Sequence, residues 1–193
     1  METNLAYQDE MQYELIGGRL TAMSPTPTIR HNQISGNIYN IFYTYLKGKR
    51  CVVFHESTKV FLSESERYIP DVMVVCDRSR IKTTGVYGAP DLIVEVASPS
   101  TAGRDRGHKM RAYERFGVRE YWLVSPSECT IEVYLLKDGR FQLDNVYFVY
   151  HDYDMYDMTE EERAGVVTEF KCSLYDDLVI RLEDVFYDLI ELV

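Results

Sequence analysis

Asp71, Glu95 and Lys109 are charged residues set in apolar surroundings, and their types suit hydrolysis of a phosphodiester. Leu92, Ile93, Val94 and Val96 form a near-continuous apolar run, the mark of a strand covered on both faces, with Glu95 in its middle. A carboxylate buried there needs a cation or hydrogen-bond donors, because an unpaired charge in an apolar interior is costly. Tyr68 to Cys76 repeats the pattern with one acid, Asp71, which Pro70 sets at a strand's beginning or at a bulge. After Pro99 the periodicity turns helical. Ala102, Asp105, Lys109, Ala112, Tyr113 and Phe116 share one stripe at about 100° per residue, with Lys109 at its centre.

Two carboxylates on neighbouring strands make a hard, oxygen-rich pocket suited to Mg²⁺, with Mn²⁺ as its substitute. An adjacent lysine can orient the attacking water, deprotonate it as the neutral amine, or as an ammonium offset charge growing on the phosphorus centre. The metal lowers the pKa of its water and clamps the scissile phosphate. The competing reading of the same residues is a buried ion network, which is weak evidence for stability and leaves the charges unexplained.

The elements that must carry these residues are legible around them. Tyr13-Glu14-Leu15-Ile16, Gly17-Gly18 and Arg19 to Met23 read as a β-hairpin ended by Pro25 and Pro27. From Thr28, Ile34, Ile38, Ile41, Phe42, Tyr45 and Leu46 have helical spacing as far as about Gly48, with His31 on the same face as either a core histidine or a site residue. Cys51 to Phe54 and Lys59 to Leu62 are strand-like. The stripe around Lys109 begins with Ser100 or Thr101 as N-cap and stops at Gly117. Tyr121 to Val124 is a short buried strand, and Thr130 to Leu136 and Phe141 to Val149 form a hairpin around Asp138-Gly139. The polar segment HDYDMYDMTEEER reads as an acidic mobile loop, Phe170 to Leu174 as an edge strand, and Leu182 to Leu189 as a short closing helix.

With 193 residues, 46% of them hydrophobic, the chain suffices for one substantial core, so a single domain is expected over 1–193. Its core would span about 10–150, with an acidic C-terminal extension over about 151–193. Cys51, Cys76, Cys129 and Cys172 stand apart without paired zinc-site spacing and read as reduced thiols. Together with the absence of a leader-like start or a membrane-length apolar run, they lead to an expectation of a cytoplasmic protein without a membrane partner. The net charge of −10 argues against a polyanionic partner until its position is considered. From His151 onward, 13 acids face 3 basic residues, whereas the stretch from Thr101 to Glu120 carries six Arg or Lys against three acids. A local basic face is therefore open, with Arg104 and Arg106 as candidate nucleic-acid contacts.

Three stretches together carry a resemblance: Tyr68 to Val75 (YIPDVMVV), Gly88 to Thr101 (GAPDLIVEVASPST), and Arg104 to Val124 (RDRGHKMRAYERFGVREYWLV). The chain resembles the Uma-type family of restriction-endonuclease-like proteins within the PD-(D/E)XK nuclease superfamily, from the hairpin at Tyr13 to about Val149. The resemblance implies an α/β restriction-endonuclease-like fold: a mixed β-sheet flanked by α-helices, with an added β-hairpin and a short C-terminal helix, often as a homodimer. It implies Asp71 and Glu95 as metal ligands. The superfamily lysine stands two residues after the acid, where this chain has Ala97, and the family pattern moves it onto the following helix as Lys109. Glu14, His31, Asp91 and Asp105 would support the site, Asp91 being the weaker acid. Gly17 stands where the family often has Asp, a departure expected to affect a turn. The implied activity is a Mg²⁺-dependent endonuclease acting on nucleic acid, DNA first. The alternative is a catalytically silent nuclease fold that binds nucleic acid or a protein.

Overall fold

The computed structural model describes residues 12–23, 27–98, 103, 105–150 and 152–190. Strands β1 (Tyr13–Ile16) and β2 (Arg19–Ala22) pair antiparallel around Gly17 and Gly18, whose φ values of 57° and 80° suit a two-residue turn that residues with a Cβ adopt poorly. Helix α1 (Ile29–Leu46) begins where the Thr28 hydroxyl oxygen accepts the His31 amide, and it buries Ile34, Ile38, Phe42 and Leu46. There follow β3 (Val52–His55), β4 (Val60–Ser63), β5 (Glu66–Tyr68), β6 (Val72–Val75), the short β7 (Ile81–Lys82) and β8 (Gly85–Tyr87), and β9 (Leu92–Val96). A π-helical turn at Asp105–Lys109 runs into α2 (Met110–Phe116), then β10 (Glu120–Ser125), β11 (Thr130–Lys137) and β12 (Arg140–Phe148). The chain continues through α3 (Asp152–Tyr156), α4 (Glu160–Ala164), β13 (Glu169–Lys171), β14 (Val179–Arg181) and α5 (Leu182–Val185).

The central sheet has the order β12-β11-β10-β9-β6-β3. Only β9 and β10 run parallel in it, joined by the segment that holds α2, while its other pairs are antiparallel. Alternation along β6 and β9 divides the core in two. Val72, Val74, Leu92, Val94 and Val96 face α1 and the C-terminal Phe170, Ile180, Leu182 and Val185. Met73, Val75 and Ile93 face α2 and the second sheet, ordered β2-β1-β5-β4-β8-β7. This double cover explains why β9 is apolar at nearly every position, and it leaves Glu95 on the α2 side.

Both hairpins, α1, the strand cores and the Gly117 stop agree with the sequence reading. Gly117 has φ 88° and donates its amide to Tyr113 and Glu114 carbonyls, closing α2. Ser100, Thr101, Ala102, Arg104 and Pro25 lie outside the described residues.

Four expectations need correction. The stripe through Lys109 is not one regular α-helix, since its first part is the wider turn at Asp105–Lys109. The acidic segment is not a structureless loop. It forms α3 and α4, and α4 is held by a capping box in which Thr159 and Glu162 bond each other's backbone amides while Glu160, Glu161 and Glu162 complement the helix dipole. Strand β5 lay hidden in a polar run because its inward acid, Glu66, is satisfied by Tyr68 Oη at 2.5 Å, Arg115 Nη2 at 2.8 Å and the Gly17 amide. Finally, the cysteines are not all thiols. Cys51 and Cys76 form a disulfide because the register Val52↔Val75 brings them opposite each other, a proximity invisible in their 25-residue separation. Cys129 and Cys172 are free and buried. Among the described residues, no helix is long and apolar enough to cross a membrane.

Candidate active site

The antiparallel register of β6 and β9 aligns Val72 with Val94 and Met73 with Ile93. The same register carried one step further, to the entry of β6 and the exit of β9, sets Asp71 opposite Glu95, and the Asp71 charge bears on the Glu95 carboxyl. Asp71 also anchors the strand ends: its Oδ2 accepts the Val96 amide at 2.7 Å and its backbone carbonyl accepts the Glu56 amide at 3.1 Å. Pro70, which has no amide hydrogen to give a ladder, stands just before Asp71 at the entry to β6.

Lys109 reaches the same point from the helical side. Its Nζ lies 3.0 Å from Glu14 Oε1, 3.1 Å from Glu95 Oε2 and 3.6 Å from Asp105 Oδ1. Glu14, Glu95, Asp105 and Lys109 are all buried. Glu14 arrives on β1, where its Oε1 also accepts the Ile69 amide at 3.1 Å and ties the hairpin to the approach of Asp71. The π-turn brings Asp105 and Lys109 together on its inner side. Tyr113, one α-helical turn later, donates its phenol hydrogen to Glu95 Oε1 at 2.7 Å.

These contacts set the charges. Burial opposes the Lys109 ammonium, but Glu95, Glu14, Asp105 and Asp71 outweigh it and hold the group well above the ordinary lysine value. Lys109 therefore remains charged, with its three N–H donors facing three carboxylates. Burial, reinforced by Asp105, Asp71 and Glu14, pushes the Glu95 carboxyl well up despite Lys109. Burial also raises the Tyr113 phenol, with Glu95 and Glu14 adding to it. Tyr113 is thus a donor to Glu95 rather than a phenolate.

A second group of polar side chains adjoins Asp71. His31 Nε2 lies 3.1 Å from Asp71 Oδ1. Burial would depress this histidine, but its hydrogen bond to Asp71 and the charges of Asp71, Glu56 and Asp105 raise it above the ordinary value. Ser35, one turn after His31 and buried, bonds Glu56 Oε1 at 3.2 Å and His55 Nε2 at 3.2 Å. Glu56 and Ser57 adopt φ of 24° and 56°, and this uncommon backbone carries the Glu56 amide onto the Asp71 carbonyl.

The structure therefore brings together Glu14, His31, Asp71, Glu95, Asp105 and Lys109. Asp91 stands apart, at the opposite end of β9 from Glu95. Its Oδ2 accepts the Cys76 amide at 2.7 Å and its Oδ1 faces Arg119 at 3.2 Å, so it fastens strand ends. Arg106 is ion-paired with Glu132 on the surface. Arg104 lies outside the described residues. Tyr113, Ser35, His55 and Glu56 were not singled out from the sequence as site residues. Tyr113 left one signal, a hydroxyl in the middle of an inward stripe, which needs a partner when buried.

Comparison with known proteins follows the same lines. A family model described as "Uma2: Putative restriction endonuclease" matches residues 1–160. The uncharacterized protein slr1290 of Synechocystis sp. is 33% identical over 129 residues, covering 66% of this chain and 67% of its own. A second uncharacterized Synechocystis protein, sll1609, is 26% identical over 125 residues, covering 63% of this chain and 70% of its own. Among solved structures, a protein from Anabaena variabilis described as a putative nuclease belonging to DUF820 superposes with a TM-score of 0.68 at 19% identity. That match covers 92% of this chain and 90% of the other, and it establishes a shared fold.

Proposed function

The chain belongs to the Uma2 putative restriction endonuclease family, and on that premise we propose that it is a Mg²⁺-dependent endonuclease that hydrolyses nucleic-acid phosphodiesters, with DNA as the first substrate to test. The observation that carries this reading is the β6–β9 register, which sets Asp71 opposite Glu95, together with Lys109 paired to Glu95.

The donor set suits a hard divalent cation. Glu14, Asp71, Glu95 and Asp105 gather around one ammonium and one imidazole, so negative charge is in excess where Asp71 and Glu95 meet. Among the described residues, no three His, Cys, Asp or Glu side chains form a closed metal cluster. Mg²⁺ needs none, because it binds through one or two carboxylates and keeps several waters for exchange with phosphate oxygens. The hydrogen bonds already made by Asp71 and Glu95 leave lone pairs on both carboxylates. Asp71 and Glu95 would hold the ion, with Mn²⁺ able to replace it. Bound there, it would lower the pKa of a coordinated water and polarise the phosphate.

The chain's own groups supply the rest. Lys109 is held as a cation by its carboxylate neighbours, which suits it to offset charge on the phosphate and opposes a role as general base. His31 fixes Asp71 Oδ1, and the Val96 amide fixes Oδ2, so the carboxylate keeps one orientation.

The test is incubation of the purified protein with supercoiled plasmid, linear DNA and single-stranded RNA in Mg²⁺ or Mn²⁺, beside Asp71→Ala and Lys109→Ala variants. Metal-dependent nicking or cutting lost in both variants is the expected result. No cleavage together with no metal binding would transfer the reading to a silent nuclease-fold module.

A further inference from the structure

Glu95 is held at two points by one helical segment: Lys109 faces Oε2 at 3.1 Å and Tyr113 donates to Oε1 at 2.7 Å. The Tyr113 ring is itself confined. It meets Tyr68 edge-on with centroids 5.3 Å apart, and Tyr121 at 5.6 Å, while Tyr121 Oη donates to the Asp105 carbonyl at 3.2 Å. This aromatic column anchors the π-turn and the phenol together. A phenylalanine would fill the same space without a hydroxyl to desolvate, so packing alone gives no reason for the oxygen. Its hydrogen-bond partner is the acid on which the proposed metal site depends.

The geometry points to Tyr113 as a positioning residue for the divalent cation: its hydroxyl fixes the rotation of the Glu95 carboxylate, so that Glu95 meets the ion without reorganising. This inference rests on the metal-site reading above and adds a residue to it. Hydrogen bonds from neighbouring side chains to metal-ligating groups govern affinity because they fix the ligand's orientation before the ion arrives. Without the hydroxyl, the Glu95 carboxylate would be held by Lys109 alone and could turn about its last bond.

The experiment measures Mn²⁺ affinity by electron paramagnetic resonance on the full chain for the parent, Tyr113→Phe, Tyr68→Phe and Glu95→Ala. Tyr68→Phe removes an equally buried phenol from the same column, but one whose hydrogen bond goes to Glu66. It therefore reports what loss of a core hydroxyl does by itself. The expected result is parent binding that Glu95→Ala abolishes, Tyr113→Phe weakens by about 10- to 100-fold, and Tyr68→Phe leaves unchanged. Equal affinity in the parent and Tyr113→Phe, with Glu95→Ala still abolishing binding, would overturn the role of Tyr113 and leave the metal site standing. Equal weakening in the two Tyr→Phe variants would overturn it as well, since the loss would then be structural. No Mn²⁺ binding by the parent would overturn the metal site and this inference together.

Discussion

Lys109 Nζ lies 3.1 Å from Glu95 Oε2, a buried ion pair that joins the central β9 to the π-turn preceding α2. Glu14 and Asp105 share the same ammonium, so the pair is one edge of a larger network.

Replacing Lys109 by Met should remove about 3–5 kcal/mol of stability, because it leaves buried carboxylates without their cation. Adding Glu95→Gln should recover part of the loss. Urea unfolding of the two single variants and the double variant checks this. Strict additivity would show that Lys109 and Glu95 do not interact energetically.

Mg²⁺ should raise the melting temperature of the parent and leave Asp71→Ala and Glu95→Ala unmoved. At a free concentration 100-fold above Kd, linkage supplies about 2.7 kcal/mol. Differential scanning fluorimetry over a Mg²⁺ series reads the shift, and a flat parent curve at millimolar metal would contradict the proposed site.

The His31–Asp71 contact predicts a pH-dependent contribution to stability in metal-free protein. The folded state raises the His31 pKa above its ordinary value of 6.5. The contribution is therefore fully present below pH 6.5 and is lost as pH rises through the higher folded value. His31→Gln should flatten this part of the profile, measured by unfolding at a series of pH values in a chelating buffer. An unchanged slope would assign the dependence to other groups.

The Cys51–Cys76 disulfide should leave two thiols, Cys129 and Cys172, reactive in denatured, non-reduced protein. Titration with a thiol reagent gives the number directly, and four reactive thiols would contradict the pairing. Cys51→Ser with Cys76→Ser should cost about 2–4 kcal/mol, since the bridge limits the unfolded chain.

The sequence by itself determined the two apolar strands, the acid each carries, the lysine on the inward stripe and the glycine that ends it. These are local signals: a charge in an apolar run or a residue that tolerates positive φ can be read within a few positions. Asp71, Glu95 and Lys109 emerged this way, whereas Glu14 entered through the family resemblance. Only the tertiary structure decided that Asp71 meets Glu95, that Glu14 and Asp105 share Lys109 with it, and that Asp91 lies at the other end of the strand. It also decided the Cys51–Cys76 bridge, the hidden strand around Glu66 and the grip of Tyr113 on Glu95. Each depends on strand register or on which turn of a helix faces a given strand. Those are contacts between residues distant in sequence, and a one-residue change in register would turn the same side chains to the opposite face.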